Sequence, residues 1–348
     1  MMLSRRPLVL GALAAAVAPA YAQTVRPLEK VVLGYPQTAT DIGLYVADKR
    51  GYFREEGVQV EFINFDSAAR MVTPFAAGDL HVVAGAASAA FYNAVSRGVD
   101  FRIVSDKVST PPGRTSQTLI VRKDHVESGR YKILADLKGM KVANAAPGTA
   151  AAVTFTKMLA RAGLTIADVD QTFLAFPQHV IALQNGAVDA ALPAEPSTTE
   201  AIRRGLAVKA ITDDEAYPYH QIAVLFYGGK FIKEKPAGAK GFLKAFIRGV
   251  RDHNDALDAK GFFSGDKGEA IIKILNENTP VKDPQFYRNF PLAYCNPDGA
   301  MHVESMKNDL DTLRAQGLVE GAVDLNKVID LSFLNAVIAE LGPYKKTQ

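Results

Sequence analysis

Four short loops carry most of the side chains in this sequence that could do chemistry. What they offer is hydrogen bonding to a small molecule rather than covalent catalysis. Residues 36–41 (PQTATD) present Gln37, Thr38 and Asp41, with Tyr45 one turn further on. Residues 86–88 (AAS) present Ser88, residues 147–150 (PGTA) present Gly148, Thr149 and Ala150, and residues 192–196 (LPAEP) present Glu195. At a helix start, Gly148, Thr149 and Ala150 offer backbone N–H groups, a hydroxyl and little bulk. That suits a carboxylate, a sulfonate or a similar anion, to which the helix dipole adds about 0.3–1 kcal/mol. Ordinary capping by Thr149 accounts for the same residues equally well. Ser88 repeats the arrangement earlier in the chain. Arg70 and Arg114 are either bidentate partners for an anion or surface residues. Glu195 either accepts from a ligand amine or ring N–H or serves as a helix-start acid, and Tyr45 is either an aromatic wall or core.

Catalytic templates are missing. There is no G-x-S-x-G elbow, no phosphate-binding P-loop, no H-E-x-x-H and no C-x-x-C. His81, His125, His179, His220, His253 and His302 are scattered, which gives no metal-ligand spacing. The single cysteine, Cys295, cannot form an internal disulfide and reads as a small buried apolar residue. No catalytic residue, metal or cofactor is expected.

The loops need elements that hold them. Strand-like runs at residues 31–35, 58–63, 80–84 and 101–105 alternate with helical stretches. The rhythm resumes with runs at 117–122, 141–145, 172–175, 188–192 and 207–211, and a last run at 220–227. Such alternation implies α/β sheets, mostly parallel and covered by helices on both faces. In such sheets ligands sit beyond the carboxyl ends of the strands, where all four loops fall. The segment FAAGDLHVVAG (75–85) has a counterpart in LQNGAVDAALP (183–193), with Gly78 and Gly186 108 positions apart. The same α/β half is built twice, and two lobes facing each other make a cleft. Turn formers at residues 108–114 mark the first crossing between lobes, and the tail after residue 230 reads as helices covering the first lobe.

The chain has 348 residues, 48% hydrophobic and 22% charged, long enough for two cores. Arg5 and Arg6, the apolar residues 8–17 and the Ala20-Tyr21-Ala22 site read as an export signal over residues 1–22, of twin-arginine or general secretory type. Without its two arginines the chain carries 38 basic against 37 acidic residues, which argues against a nucleic-acid partner. No later apolar run is long enough to span a membrane.

The motifs GYP (34–36), GLYVADKRGYFREEGVQVE (43–61), GDL (78–80), DLKGMKV (136–142), GAVDAA (186–191) and AEP (194–196) occur in an order that resembles the nitrate/sulfonate/taurine-type periplasmic binding proteins, also called the thiamine-pyrimidine-precursor-synthase-like family. The likeness runs over about residues 30–230. It implies a two-lobed periplasmic binding fold (type II) with two crossover strands. Residues 23–113 and 223–348 would form the first lobe and residues 114–222 the second. It implies hinge closure on a small organic solute bearing a sulfonate or carboxylate, delivery to the membrane permease of an ABC importer, a periplasmic location and a monomer. The family's ligand-facing segments match Gln37, Thr38, Ser88, Gly148 to Ala150 and Glu195. Two departures stand out: His81 replaces the acid that Asp189 supplies in the second copy, and the chain has no tryptophan. The alternative is a pyrimidine-precursor synthase-like enzyme of the same fold, whose cysteine-rich motif is absent here.

Overall fold

The computed structural model describes residues 27–289 and 294–347; the expected export signal lies outside them. Among the described residues, ten strands form two five-stranded sheets. They are β1 (Glu29–Tyr35), β2 (Val58–Asn64), β3 (Val82–Gly85), β4 (Phe101–Thr110), β5 (Thr118–Arg122), β6 (Lys141–Asn144), β7 (Asp170–Phe173), β8 (Ala190–Ala191), β9 (Ala207–Thr212) and β10 (His220–Gly228). The first sheet has the order β2-β1-β3-β10-β4 and the second β7-β6-β8-β5-β9. In each, one strand runs against its neighbours: β10 in the first and β5 in the second. These are the strands that have just arrived from the other lobe, so they enter their sheet from the opposite side. The sheets are thus mostly parallel, in the two-lobed type II periplasmic-binding arrangement.

All ten expected strands are present, with one correction. β4 does not end near residue 105 but continues to Thr110, so the crossing assigned to residues 108–114 begins three residues late. The cause is pairing: β10 runs alongside β4 from His220↔Thr110 to Gly228↔Phe101. This long antiparallel ribbon carries both strands to the boundary between lobes. The return crossing is stapled by Asp213, whose carboxylate accepts from Ser116 N and Gln117 N (3.1 and 2.8 Å) and from Thr115 Oγ1 (2.6 Å) on the outgoing crossing.

Alternation along β10 builds two apolar layers on the first sheet. Val224 and Phe226 face one layer, where Phe226 stacks on Phe91 with centroids 4.2 Å apart. Leu225 and Tyr227 face the other, filled by Phe242 and Phe246 of the helix Pro236–Asp255. That helix crosses Ile42–Lys49 closely enough that a Cβ at Gly249 would lie 2.2 Å from Gly43 O, so only glycine fits there. The helices Val303–Ala315 and Ser332–Leu341 pack against β10 and β4 of the first sheet.

The duplication extends to hydrogen bonds. Asp189 N donates to Lys141 O (2.7 Å) while its Oδ2 accepts from Lys141 N (2.8 Å). His81 does the same on the matching strand of the first lobe: its N donates to Val32 O (2.9 Å) and its Nδ1 accepts from Val32 N (3.1 Å). Burial lowers the His81 pKa, keeping a ring lone pair for this role. The substitution of His for Asp is therefore one of residue type, not of function.

Candidate functional site

The carboxyl ends of the two sheets face one another across a narrow cleft with a cavity volume of about 80 Å³. The first lobe lines it with Thr38 and Thr40 after β1, Asp66 and Ser67 after β2, Gly85 and Ala86 after β3, and Lys107 on β4. The second lobe and the crossing supply Ser116, Gln117, Ala145, Thr149, Ala151, Phe176 and Ala194. Small side chains make the room: a Cβ on Gly85 would meet Ala68 Cβ at 2.9 Å.

The floor holds a buried ion pair. Lys107 Nζ lies 2.6 Å from Asp41 Oδ1, with side-chain exposures of 2% and 0%. Asp41 Oδ2 accepts from Thr38 N (2.7 Å) and Thr38 Oγ1 (3.1 Å), and Lys107 Nζ also donates to Thr40 Oγ1 (3.3 Å). Two charges withdrawn from water this far are tolerable only with such satisfaction of their remaining hydrogen-bonding capacity. The loop reaches this shape through Gln37, which adopts φ +54° and donates from Nε2 to Asn278 O at 3.2 Å.

Two helix starts from opposite lobes meet the same cleft. Thr149 caps the helix Ala150–Ala160, its Oγ1 accepting from Ala152 N (3.3 Å) and donating to Ala146 O (3.1 Å). Ser67 stands at the N-cap of Ala68–Ala77 and makes no side-chain cap bond. Both ends present the positive pole of a helix dipole. Phe176 supplies an aromatic wall, in place of the tryptophan this chain lacks.

The sequence-derived residues divide into three groups. Thr38 and Thr149 line the cleft, with Asp41 beneath it, while Gln37 and Glu195 line its mouth beside Asn64, Phe65 and Pro280. Ser88, Gly148 and Ala150 are not on the cleft wall. Ser88 caps Ala89–Ser96 but is fully buried, Ala150 is buried, and Ala89 N donates to Gly148 O at 2.6 Å. There one lobe's helix start is closed by the other lobe's loop. Tyr45, Arg70 and Arg114 lie elsewhere. Tyr45 is core, its hydroxyl donating to Thr38 O (3.2 Å) and its ring edge-on to Tyr35. Arg70 is exposed and faces Asp66 at 3.8 Å. Arg114 folds over the Tyr294 ring at 5.8 Å and against Gly261, where a Cβ would lie 2.5 Å from its Nη1.

Lys107, Ser67, Ser116, Gln117 and Phe176 were not among the expected site residues. For Lys107 a signal existed: Asp106 and Lys107 place two adjacent charges inside the strand-forming run FRIVSDKVST. Asp106 is the partner that turned out structural, accepting from Gln221 Nε2 (2.6 Å) and Asn296 N (2.8 Å).

Glu195 yields a pH prediction. Burial pushes its carboxyl up to about 7, against a hydrogen bond from Thr199 N at 3.1 Å that favours the ionised form. The unfolded chain gives up this proton at ordinary carboxylate pH, whereas the folded chain keeps it to about 7. The folded state therefore loses stability as pH rises through that window. Glu195→Gln is expected to match the parent in urea unfolding at pH 4 and to exceed it at pH 8 by about 3 kcal/mol. An equal difference at both pH values would refute the raised pKa.

Solved structures share this architecture. The alkanesulfonate-binding protein SsuA from Xanthomonas axonopodis pv. citri bound to MOPS aligns at TM-score 0.69 and 16% identity, over 88% of this chain and 99% of that one. The periplasmic nitrate-binding protein NrtA from Synechocystis PCC 6803 aligns at TM-score 0.72 and 14% identity, over 90% and 89%. The desulfurization enzyme DSZB also aligns, at TM-score 0.59 and 14% identity, over 89% and 99%. At these identities the likeness is one of fold. No curated protein matches the chain by sequence. The family model described as NMT1-like matches residues 25–260, well over half of the chain. With that match and the two-lobed fold that bears it out, this chain belongs to the NMT1-like family.

Proposed function

We propose that this protein is the periplasmic solute-binding component of an ABC importer, acting as a monomer that closes its lobes on a small organic anion and presents it to a membrane permease. The observation that carries this reading is the convergence of Thr149, Ser67 and Lys107, from both lobes, on one cleft. Lys107 is already balanced by Asp41, so the cleft holds an anionic head mainly by oriented donors: the hydroxyls of Ser67 and Ser116, the Gln117 amide and the two helix starts. Phe176 and the alanines suit a compact apolar or aromatic body. A carboxylate or sulfonate on such a body fits better than a bare inorganic ion, which would leave the apolar wall unused. Cys295 is no nucleophile, since burial pushes its thiol up to about 12.

The test is a thermal-shift screen of residues 23–348 against aliphatic and aromatic carboxylates, sulfonates, nitrate and pyrimidines. A solute at a hundredfold excess over its Kd adds about 2.7 kcal/mol to stability. The expected result is such a shift from a carboxylate or sulfonate, confirmed by calorimetry with the compound unconsumed. Turnover of the compound, or stabilisation by pyrimidines alone, would overturn the reading.

A further inference from the structure

A hydrogen-bonded chain that the cleft does not use crosses the boundary between the lobes. Thr154, on the second lobe's helix Ala150–Ala160, lies with Oγ1 2.9 Å from His220 Nδ1 at the start of β10. His220 Nε2 lies 2.6 Å from Asp309 Oδ2 on the first lobe's helix Val303–Ala315. The order hydroxyl, imidazole, carboxylate is that of a nucleophilic triad. Catalysis is excluded by burial: Thr154 and His220 are 0% exposed and Asp309 2%, and none of them lines a cavity described above. The carboxylate only accepts, so Nε2 carries a proton towards it, and Nδ1 pairs with the Thr154 hydroxyl. That hydroxyl is thus committed to the opposite lobe.

The same helix face makes two more contacts with the first lobe or the return crossing. Val153 is buried in the first lobe's apolar layer with Phe91 and Leu310. Lys157 Nζ sits 5.6 Å above the ring of Tyr217, which stacks on His220 with centroids 4.3 Å apart. The N-cap of this helix is Thr149, on the cleft wall. One rigid element therefore has its end at the ligand and its flank on the other lobe. The pair Arg203–Asp283, at 2.8 Å, also joins the second lobe to the first lobe's tail, but it is solvent-exposed, and exposed pairs contribute little.

We propose that Thr154, His220 and Asp309 form a closure latch: the Thr154 hydroxyl bonds the first lobe only when the lobes are together, and it thereby sets the balance between open and closed protein. The inference rests on the hinge closure invoked above but not on which solute is bound, and its test needs no solute. Spin labels at Ile181→Cys and Lys282→Cys, exposed positions near opposite sides of the mouth, report the separation of the lobes by double electron–electron resonance. Buried Cys295 stays unlabelled.

The ligand-free protein is expected to show a substantial short-distance population. Thr154→Val keeps the side-chain volume but leaves His220 Nδ1 unpaired in the closed form. It should raise the ratio of long to short distances about fivefold, the shift supplied by one neutral hydrogen bond of ordinary strength. Thr154→Ser keeps the hydroxyl and should return the parent distribution. If Thr154→Val lowers the melting temperature while the distances stay unchanged, the contact is permanent packing and the latch is refuted. A parent protein found wholly in the long-distance state refutes it as well.

Discussion

Lys107→Met should be the most damaging single substitution in the cleft, lowering stability by about 3–5 kcal/mol and removing solute binding. The methionine fills the volume of the lysine stem but leaves Asp41, 0% exposed, as a buried charge without its partner. Breaking a buried ion pair from one side carries a cost of that size, because the remaining charge stays desolvated. Urea unfolding at neutral pH measures it. The companion variant, Lys107→Met combined with Asp41→Asn, removes both charges. It should recover most of the stability, because the carboxamide oxygen still accepts from Thr38. It should recover part of the affinity, because the unpaired Asp41 charge no longer repels the anion, but not the share owed to Lys107. If Lys107→Met alone loses less than about 1 kcal/mol, the pair does not carry the floor of the site.

Gly148→Val should abolish tight binding by a different route. Gly148 has φ +65°, in the left-handed region where a β-branched residue is strained, and a Cβ there would lie 2.8 Å from Ala89 Cβ on the opposite lobe. The clash is at the contact where Ala89 N meets Gly148 O, so it opposes closure more than the folding of either lobe. The solute found in the screen should bind at least about tenfold more weakly, while the ligand-free melting temperature falls by only a few degrees. Unchanged affinity would show that the lobes do not need this contact to hold the solute. Ser88 and Gly148 then matter to binding through closure, without touching the ligand.

Much of the fold was legible in the sequence because it is local. Alternation at β10, glycine after the helix at residue 77, and the repeat of FAAGDLHVVAG in LQNGAVDAALP each depend on near neighbours, and all ten strands were found. β4 was underestimated because Val108, Ser109 and Thr110 owe their strand to a partner more than a hundred positions away. Thr38 and Thr149 were legible as cleft-lining residues because loops after parallel strands face the cleft. Asp41 was legible by type but not by role, since its partner Lys107 is brought to it only by the sheet.

By itself the sequence determined the two-lobed α/β class, the duplicated half, the position of the cleft and the small, hydroxyl-bearing character of its loops. These follow from periodicity and from the rule that binding loops follow strands. Only the tertiary structure decided which polar groups share the cleft. It moved Arg70 to the surface and Arg114 under Gly261, turned Ser88 and Gly148 into a contact between lobes, and set Lys107 against Asp41. It also joined Thr154, His220 and Asp309 across the boundary. The physical reason is that hydrogen bonds and ion pairs act over a few ångströms of space, whereas the sequence encodes separation along the chain. A side chain's chemistry is fixed by its type, but its partner is fixed by the packing of elements far apart in the sequence.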